Sequence, residues 1–234
     1  LKRGEGEGSG FVPRDPNPID EIARTFGDEV TLLRNRFPEI PIYAGTNRVE
    51  GARKLAEQSS ADLLLLDDGF QYRCLHRDLD VVLLRPSDCR NSWQLPAGPL
   101  REPLSALRRA DFVSLYNSGH DQEDDRPNLP SGPICLTHRY EFSRIERNGR
   151  AVTEEYLREE PVLVTTLARP GALEEFLHEQ GFSIKRHISL PDHSSPEDEV
   201  GRALDQGESV LLTEKEWIKL SSKRRRDVGV IQSR

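Results

Sequence analysis

Leu63-Leu64-Leu65-Leu66-Asp67-Asp68-Gly69-Phe70-Gln71 is the stretch on which the reading of the fold turns. Four consecutive leucines predict a strand buried on both faces, as at the centre of a parallel sheet. Two aspartates stand where that strand must end. Open α/β sheets gather their ligands outside the C-terminal ends of parallel strands. In kinases and nucleotide-hydrolysing folds an acidic residue in that place holds Mg²⁺ beside the β- and γ-phosphates. The pattern alone leaves a plainer reading open, a strand followed by an Asp-Asp-Gly turn.

Outward from this stretch, helical and extended patterns alternate. The first 20 residues, rich in Gly, Pro and charge, read as loop. Gly27 to about Phe37 predicts a helix with Val30, Leu32, Leu33 and Phe37 as its apolar positions. Ile40 to Ala44 predicts a short strand, and Asn47 caps a helix running to about Ser59 with Val49, Ala52, Leu55 and Ala56 on one face. Further strands are predicted at Leu79–Leu84, Asp111–Tyr116, Pro161–Leu167, Phe182–Leu190, Ser209–Thr213 and Val228–Ile231. A helix spans Gly171 to Gln180 and ends at Gly181. Residues 119–132 read as a long connection. The segment from Ile134 to Thr153 alternates in a β-like way around an Asn148-Gly149 hairpin turn. Strands alternating with helices predict an α/β fold with a mainly parallel sheet flanked by helices.

The 234 residues, 35% hydrophobic and 31% charged, suffice for one large α/β domain or a domain with a small lobe. A net charge of −7 argues against nucleic acid as the partner, since phosphate backbones select basic faces. The basic run Lys223-Arg224-Arg225-Arg226 reads as a solvated helix end, with a membrane-surface or phosphate contact as the alternative. Cys74, Cys89 and Cys135 lack metal-ligand spacing and fit reduced cytosolic thiols. No stretch approaches the ~18 apolar residues that span a bilayer, and no signal peptide is visible. The chain opens on Leu1 and contains no methionine, which predicts a fragment of a longer protein.

Polar clusters fall just after predicted strands or at turns. They are Gly27-Asp28-Glu29, Asp67-Asp68, the stiff loop from Pro96 to Pro103 with Arg101 and Glu102 between prolines, Pro191-Asp192-His193, and Thr213-Glu214-Lys215. Each has a structural alternative. Asp28 and Glu29 suit a helix N-terminus, Arg101 and Glu102 an ion pair, Asp192 and His193 a turn, and Thr213-Glu214-Lys215 a helix cap. His76, His120, His138, His178 and His187 show no ligand spacing and read as surface residues. No Gly-x-x-x-x-Gly-Lys-Ser/Thr loop occurs. The Gly4–Gly10 run, with its interleaved glutamates and no following Lys, is not a substitute.

In order and spacing these segments resemble the tetraacyldisaccharide 4'-kinase family, the lipid A 4'-kinases of Gram-negative bacteria. Leu1-Lys2-Arg3-Gly4 is similar to the family's Ser-Arg-Gly-Tyr segment and Gly27-Asp28-Glu29 to its Gly-Asp-Glu-Pro. Asp67-Asp68-Gly69-Phe70-Gln71 is similar to its Asp-Asp-Gly-Phe-Gln-His, and Arg77-Asp78-Leu79-Asp80 follows as expected. Leu95-Pro96-Ala97-Gly98-Pro99-Leu100-Arg101-Glu102-Pro103-Leu104-Ser105 is nearly the whole of the family's central motif, with Leu107-Arg108-Arg109-Ala110-Asp111 behind it. Ala168-Arg169-Pro170, Pro191-Asp192-His193 and Thr213-Glu214-Lys215 complete the order. Departures are Lys2 and Glu5 in the first segment, Val30 where the family has Pro, and Tyr72 where it has His.

The resemblance implies a P-loop-NTPase-like α/β domain over 1–234, with a small β lid lobe around 134–153. It implies transfer of the ATP γ-phosphoryl to the 4'-hydroxyl of a tetraacyldisaccharide 1-phosphate, a glycolipid met peripherally at the cytoplasmic face of the inner membrane. By the same resemblance Asp28 is the base, with His193 as the second member of its dyad. Arg101 stabilises charge on the transferring phosphoryl group. Asp67, Asp68 and Gln71 fall to the nucleotide, and Asp68 with Glu29 and Glu102 to Mg²⁺, whose hard character suits carboxylate oxygens. The family's phosphate-binding loop and membrane-associating helix lie upstream of the segment that Leu1–Gly4 matches, which implies weak or no turnover by the chain as given. Two other classes stay open. One is a non-catalytic nucleotide- or glycolipid-binding homologue. The other is a metal-dependent hydrolase built on Asp67, Asp68, Asp192 and His193.

Overall fold

The computed structural model describes residues 8–14, 19–90, 93–98, 100–117, 128–167, 170–191 and 194–233. Two compact units emerge, one of Leu1–Asp68 with Glu141–Arg234, the other of Gly69–Tyr140. Among the described residues no helix is long and apolar enough to cross a membrane.

The first unit begins with β1 (Gly10–Phe11), α1 (Ile19–Phe26), α2 (Asp28–Arg36), β2 (Tyr43–Ala44) and α3 (Arg48–Gln58). Antiparallel pairing of β1 with β2 and the two helices enclose Val12, Ile22, Phe26, Val30, Ile42 and Ala44. Ile22 and Phe26, four apart, share the buried stripe of α1, a helix that begins at the end of the 20 residues read from sequence as loop and continues through residues given no element. The helix at Gly27–Phe37 forms as expected. Val30, where the family motif has Pro, is fully buried in this cluster. Asn47 caps α3 as expected, its Oδ1 accepting from Glu50 N at 3.2 Å, with Ala52 and Leu55 buried. Val49 is exposed, so the buried face is narrower than predicted.

After residue 140 the first unit continues with β6 (Phe142–Arg147), β7 (Arg150–Ala151), α5 (Thr153–Arg158), β8 (Val162–Thr165), α6 (Pro170–Glu179) and β9 (Arg186–Ser189). It ends with α7 (Glu197–Asp205), β10 (Val210–Thr213), α8 (Glu214–Ile218), a 3₁₀ turn at Arg224–Arg226 and β11 (Gly229–Ser233). Its sheet has the order β7-β6-β11-β10-β8-β9. The four strands β11, β10, β8 and β9 run parallel, and β6 and β7 run antiparallel at one edge. Side chains of a strand alternate between faces. Val162, Val164, Val210 and Leu212 accordingly pack on one face with Val200 and Ala203 of α7. Leu163 and Leu211 pack on the other with Tyr156 of α5 and Leu177 of α6. Both faces are covered, which is why these strands read as unbroken apolar runs. Asn148 and Gly149, at φ 51° and 71°, form the expected turn between β6 and β7.

The second unit holds β3 (Val81–Leu84), α4 (Pro86–Arg90), a 3₁₀ helix at Leu104–Arg109, β4 (Phe112–Tyr116) and β5 (Ile134–His138). The three strands form a parallel sheet in the order β3-β4-β5. Val82 and Leu84 join Leu107, Ala110, Val113 and Leu115 in its core, while Val81, Leu83, Ile134 and Leu136 are exposed. The elements of segment 134–153 thus divide between the two sheets.

Leu63–Leu66 is corrected. It belongs to none of the three sheets among the described residues, and Leu63 and Leu65 are 75% and 73% exposed. A run of leucines supplies the apolar faces of a buried strand but not its hydrogen-bonding neighbours, and here the ladders form between other segments.

Candidate active site

Gly27 precedes α2 at φ 88°, a left-handed conformation that glycine adopts without a Cβ penalty. Its carbonyl accepts from Thr31 Oγ1 at 2.8 Å, so the helix begins at Asp28. Asp28 and Glu29 occupy the first turn, where the helix dipole favours carboxylates. Burial of Val30 and Thr31 fixes the turn and leaves the Asp28 side chain 26% exposed. Its Oδ2 lies 3.4 Å from the ammonium of Lys219, the residue that closes α8. At the other end of the same helix pair, Arg36 approaches Glu214 at 3.7 Å. These two ion pairs show α2 and α8 lying antiparallel. Burial pushes the Glu214 carboxyl above its ordinary range, and Arg36 opposes that shift.

Asp67 and Asp68 are exposed at the end of the leucine run. Asp68 has φ 52°, in the left-handed region that Asp tolerates better than most residues. Its carbonyl accepts from Arg48 Nη1 at 2.9 Å, and Arg48 is buried. The backbone of the Asp-Asp turn is therefore held from α3 while its carboxylates face solvent.

In the second unit, the guanidinium of Arg109 lies 4.5 Å from the Phe70 ring centroid and donates to Glu102 Oε2 at 2.8 Å. Arg73 approaches the same oxygen at 3.5 Å. The loop that carries Glu102 and the Phe70 motif thus meet through Arg109. Arg101 is exposed, and the partners of Glu102 are Arg109 and Arg73, so the Arg101–Glu102 ion pair entertained from sequence gives way to these two. The loop closes on itself through Gly98 N to Gln94 O at 2.9 Å and Leu95 N to Leu100 O at 2.8 Å. A Cβ at Gly98 would lie 2.3 Å from the Trp93 carbonyl oxygen, so only glycine fits there. Gln71 is exposed, within the turn closed by Tyr72 N to Gly69 O at 2.9 Å.

Sequence reasoning missed several polar residues. Glu216 is fully buried, and its carboxylate accepts from Thr166 N at 2.9 Å, Thr166 Oγ1 at 2.8 Å and the Thr213 hydroxyl. The Thr213-Glu214-Lys215 motif therefore opens a helix, as the cap reading expected, but the buried anchor is the next residue. His187 is corrected from surface to largely buried: its side chain is 9% exposed, with Thr165 Oγ1 2.8 Å from Nε2 and Glu174 Oε2 3.0 Å from Nδ1. Arg225, within the basic run read as solvated, is buried with Asp20 at 2.5 Å and the Trp217 ring at 5.4 Å. A recess of about 170 Å³ at the C-terminal ends of β3, β4 and β5 is lined by Leu83, Leu84, Arg85, Tyr116, His138 and Tyr140. One signal was available for it, an aromatic residue or histidine closing each of the last two strands.

The first unit carries Asp28, Glu29, Asp67 and Asp68, and the second carries Gln71, Arg101 and Glu102. Asp192 and His193 lie outside the described residues, and with them the dyad partner and half of the hydrolase constellation. Among the described residues no three His, Cys, Asp or Glu side chains converge as a metal-binding group. Mg²⁺ does not require one, because it commonly takes one or two carboxylates and completes its shell with phosphate oxygens and water. The exposed, all-oxygen side chain of Asp68 fits that need. Glu102, whose Oε2 faces two guanidinium groups, fits it less well.

The sequence model of a family described as tetraacyldisaccharide-1-P 4'-kinase (LpxK) matches residues 5–233. A tetraacyldisaccharide 4'-kinase of Pelobacter propionicus is 36% identical over 94% of this chain and 64% of its own length. Those of Anaeromyxobacter sp. and Leptothrix cholodnii are 35% and 32% identical over 94% of this chain, and over 65% and 63% of their own lengths. The chain therefore spans somewhat under two thirds of these relatives. A crystal structure of LpxK from Aquifex aeolicus, an "apo" form in complex with ATP, is similar over 100% of this chain and 72% of that one, with a TM-score of 0.75 and 28% identity.

Proposed function

The chain belongs to the tetraacyldisaccharide-1-P 4'-kinase family, and on that premise we propose that the protein carrying it transfers the γ-phosphoryl of ATP to the 4'-hydroxyl of a tetraacyldisaccharide 1-phosphate. The observation that carries the reading is the likeness of the entire chain to an LpxK structure in complex with ATP. Asp28, in the first turn of α2, supports it with a carboxylate that is anchored at Oδ2 and still reachable.

In this reading Asp28 takes the proton of the 4'-hydroxyl as the 4'-oxygen bonds to the γ-phosphorus and the bond to the β–γ bridging oxygen breaks, releasing ADP. A sugar hydroxyl is a poor nucleophile, and a fixed carboxylate within hydrogen-bond reach removes its proton as the new bond forms. His193 is the second member of the dyad. The planar donors of Arg101 balance charge on the phosphoryl oxygens. Gln71 and Asp67 contact the nucleotide. Asp68, with Glu29 and, less readily, Glu102 in support, would hold Mg²⁺, which would supply positive charge to offset that of the phosphates. The acylated substrate calls for a membrane surface, which in this reading is the cytoplasmic face of the inner membrane, met peripherally.

The test is transfer from γ-labelled ATP by the natural protein and its Asp28→Asn form. Loss of about 100-fold or more in kcat with little change in the KM for ATP is expected for a general base. Wild-type turnover by Asp28→Asn removes Asp28 from the chemistry.

A further inference from the structure

We propose that Lys219 is the positioning residue for Asp28, a buried ammonium that fixes one oxygen of the base and leaves the other for the substrate hydroxyl. The inference rests on the reading of Asp28 as the base. Lys219 is 7% exposed at its side chain, and its Nζ makes no hydrogen bond among the described residues. An ammonium carries three donors, and burying it with none of them satisfied is costly. For stability alone an apolar side chain would serve better at such a place. The neighbouring charges do not account for it either. Glu214 on the same helix faces Arg36, and Asp20 of α1 takes Arg225. The carboxylate that Lys219 approaches is Asp28, at 3.4 Å from Oδ2.

This geometry suits a positioning role. α2 and α8 pack antiparallel, so the C-terminal end of α8 is delivered to the first turn of α2. An ion pair at Oδ2 restricts rotation of the carboxylate, and the remaining exposure of Asp28 gives a hydroxyl access to it. Orientation of this kind matters because displacement of a reacting group by about 1 Å costs on the order of 100-fold in rate.

The experiment uses the natural protein with Lys219→Met, Lys219→Arg and Asp28→Asn. For Lys219→Met the expected result is a fall in kcat of about 10- to 100-fold, an unchanged KM for ATP, and a Tm equal to or above wild type. Lys219→Arg is expected to recover part of kcat. Should Lys219→Met fail to fold, Lys219→Gln carries the same expectation, since it keeps polarity and most of the length without the charge. Wild-type kcat in the uncharged variants, or a fall in kcat matched by a fall in Tm, overturns the proposal. If Asp28→Asn is inactive while Lys219→Met turns over normally, the positioning role fails and the base stands. If Asp28→Asn is active, both fail.

Discussion

Asp28 and Glu214 mark opposite ends of one helix pair, and their environments differ. Glu214 is partly buried, and burial raises its carboxyl above the ordinary value of 4.5 despite Arg36. The folded state therefore keeps a proton over a range in which the unfolded chain has lost it. Stability is fully present below the ordinary value and falls as pH rises toward the raised one. Glu214→Gln is expected to raise Tm at pH 7 and to leave it unchanged at pH 4, as thermal scans at the two values will show. Gly98→Ala places a Cβ against the Trp93 carbonyl oxygen, a backbone atom that cannot swing aside. A loss of about 1–3 kcal/mol in urea unfolding is expected. At this scale the sequence singled out Asp28, Glu29, Asp67, Asp68, Arg101 and Glu102 as candidates, because each stands in a recognisable motif. Lys219 was not legible, since its partner lies far away in the chain and only the packing of α8 on α2 joins them.

Among the elements, the interior strands were the most legible. Val162–Thr165 and Val210–Thr213 are short apolar runs, and both of their faces are indeed covered. Leu63–Leu66 shows the limit of the same logic. Its composition is that of an inner strand, yet no ladder forms there among the described residues. The helix α1 escaped notice although Ile19, Ile22, Ala23 and Phe26 fall on one face, because the stripe spans barely two turns and starts within the Gly-, Pro- and charge-rich first 20 residues. Glu216 ties the end of β8 to α8 through Thr166 and Thr213. Glu216→Ala strands those buried donors and is expected to cost about 3 kcal/mol. Glu216→Gln, which keeps one acceptor, is expected to cost less, with chemical denaturation as the measure.

For the molecule as a whole, the two units differ in how deeply they bury apolar surface. The first has a sheet covered on both faces. The second exposes Val81, Leu83, Ile134 and Leu136 from its small sheet. Local stability follows buried contacts. Amides of β3, β4 and β5 are expected to exchange before those of β8 and β10 in hydrogen-exchange mass spectrometry, and the protein is expected to bind a hydrophobic dye. Uniform exchange with no dye binding would contradict that ranking. The α/β class was legible from alternating elements, whereas the division at residues 69 and 140 was not. That division depends on which strands pair, and composition does not encode pairing.

The central claim is phosphoryl transfer to a single sugar oxygen. The direct measurement incubates tetraacyldisaccharide 1-phosphate and Mg²⁺-ATP with the natural protein and its Asp28→Asn form, and locates the new phosphate by ³¹P NMR. A second phosphate on the 4'-oxygen is expected with the natural protein and absent with Asp28→Asn. No phosphorylation by the natural protein, or phosphate on another oxygen, would contradict the account.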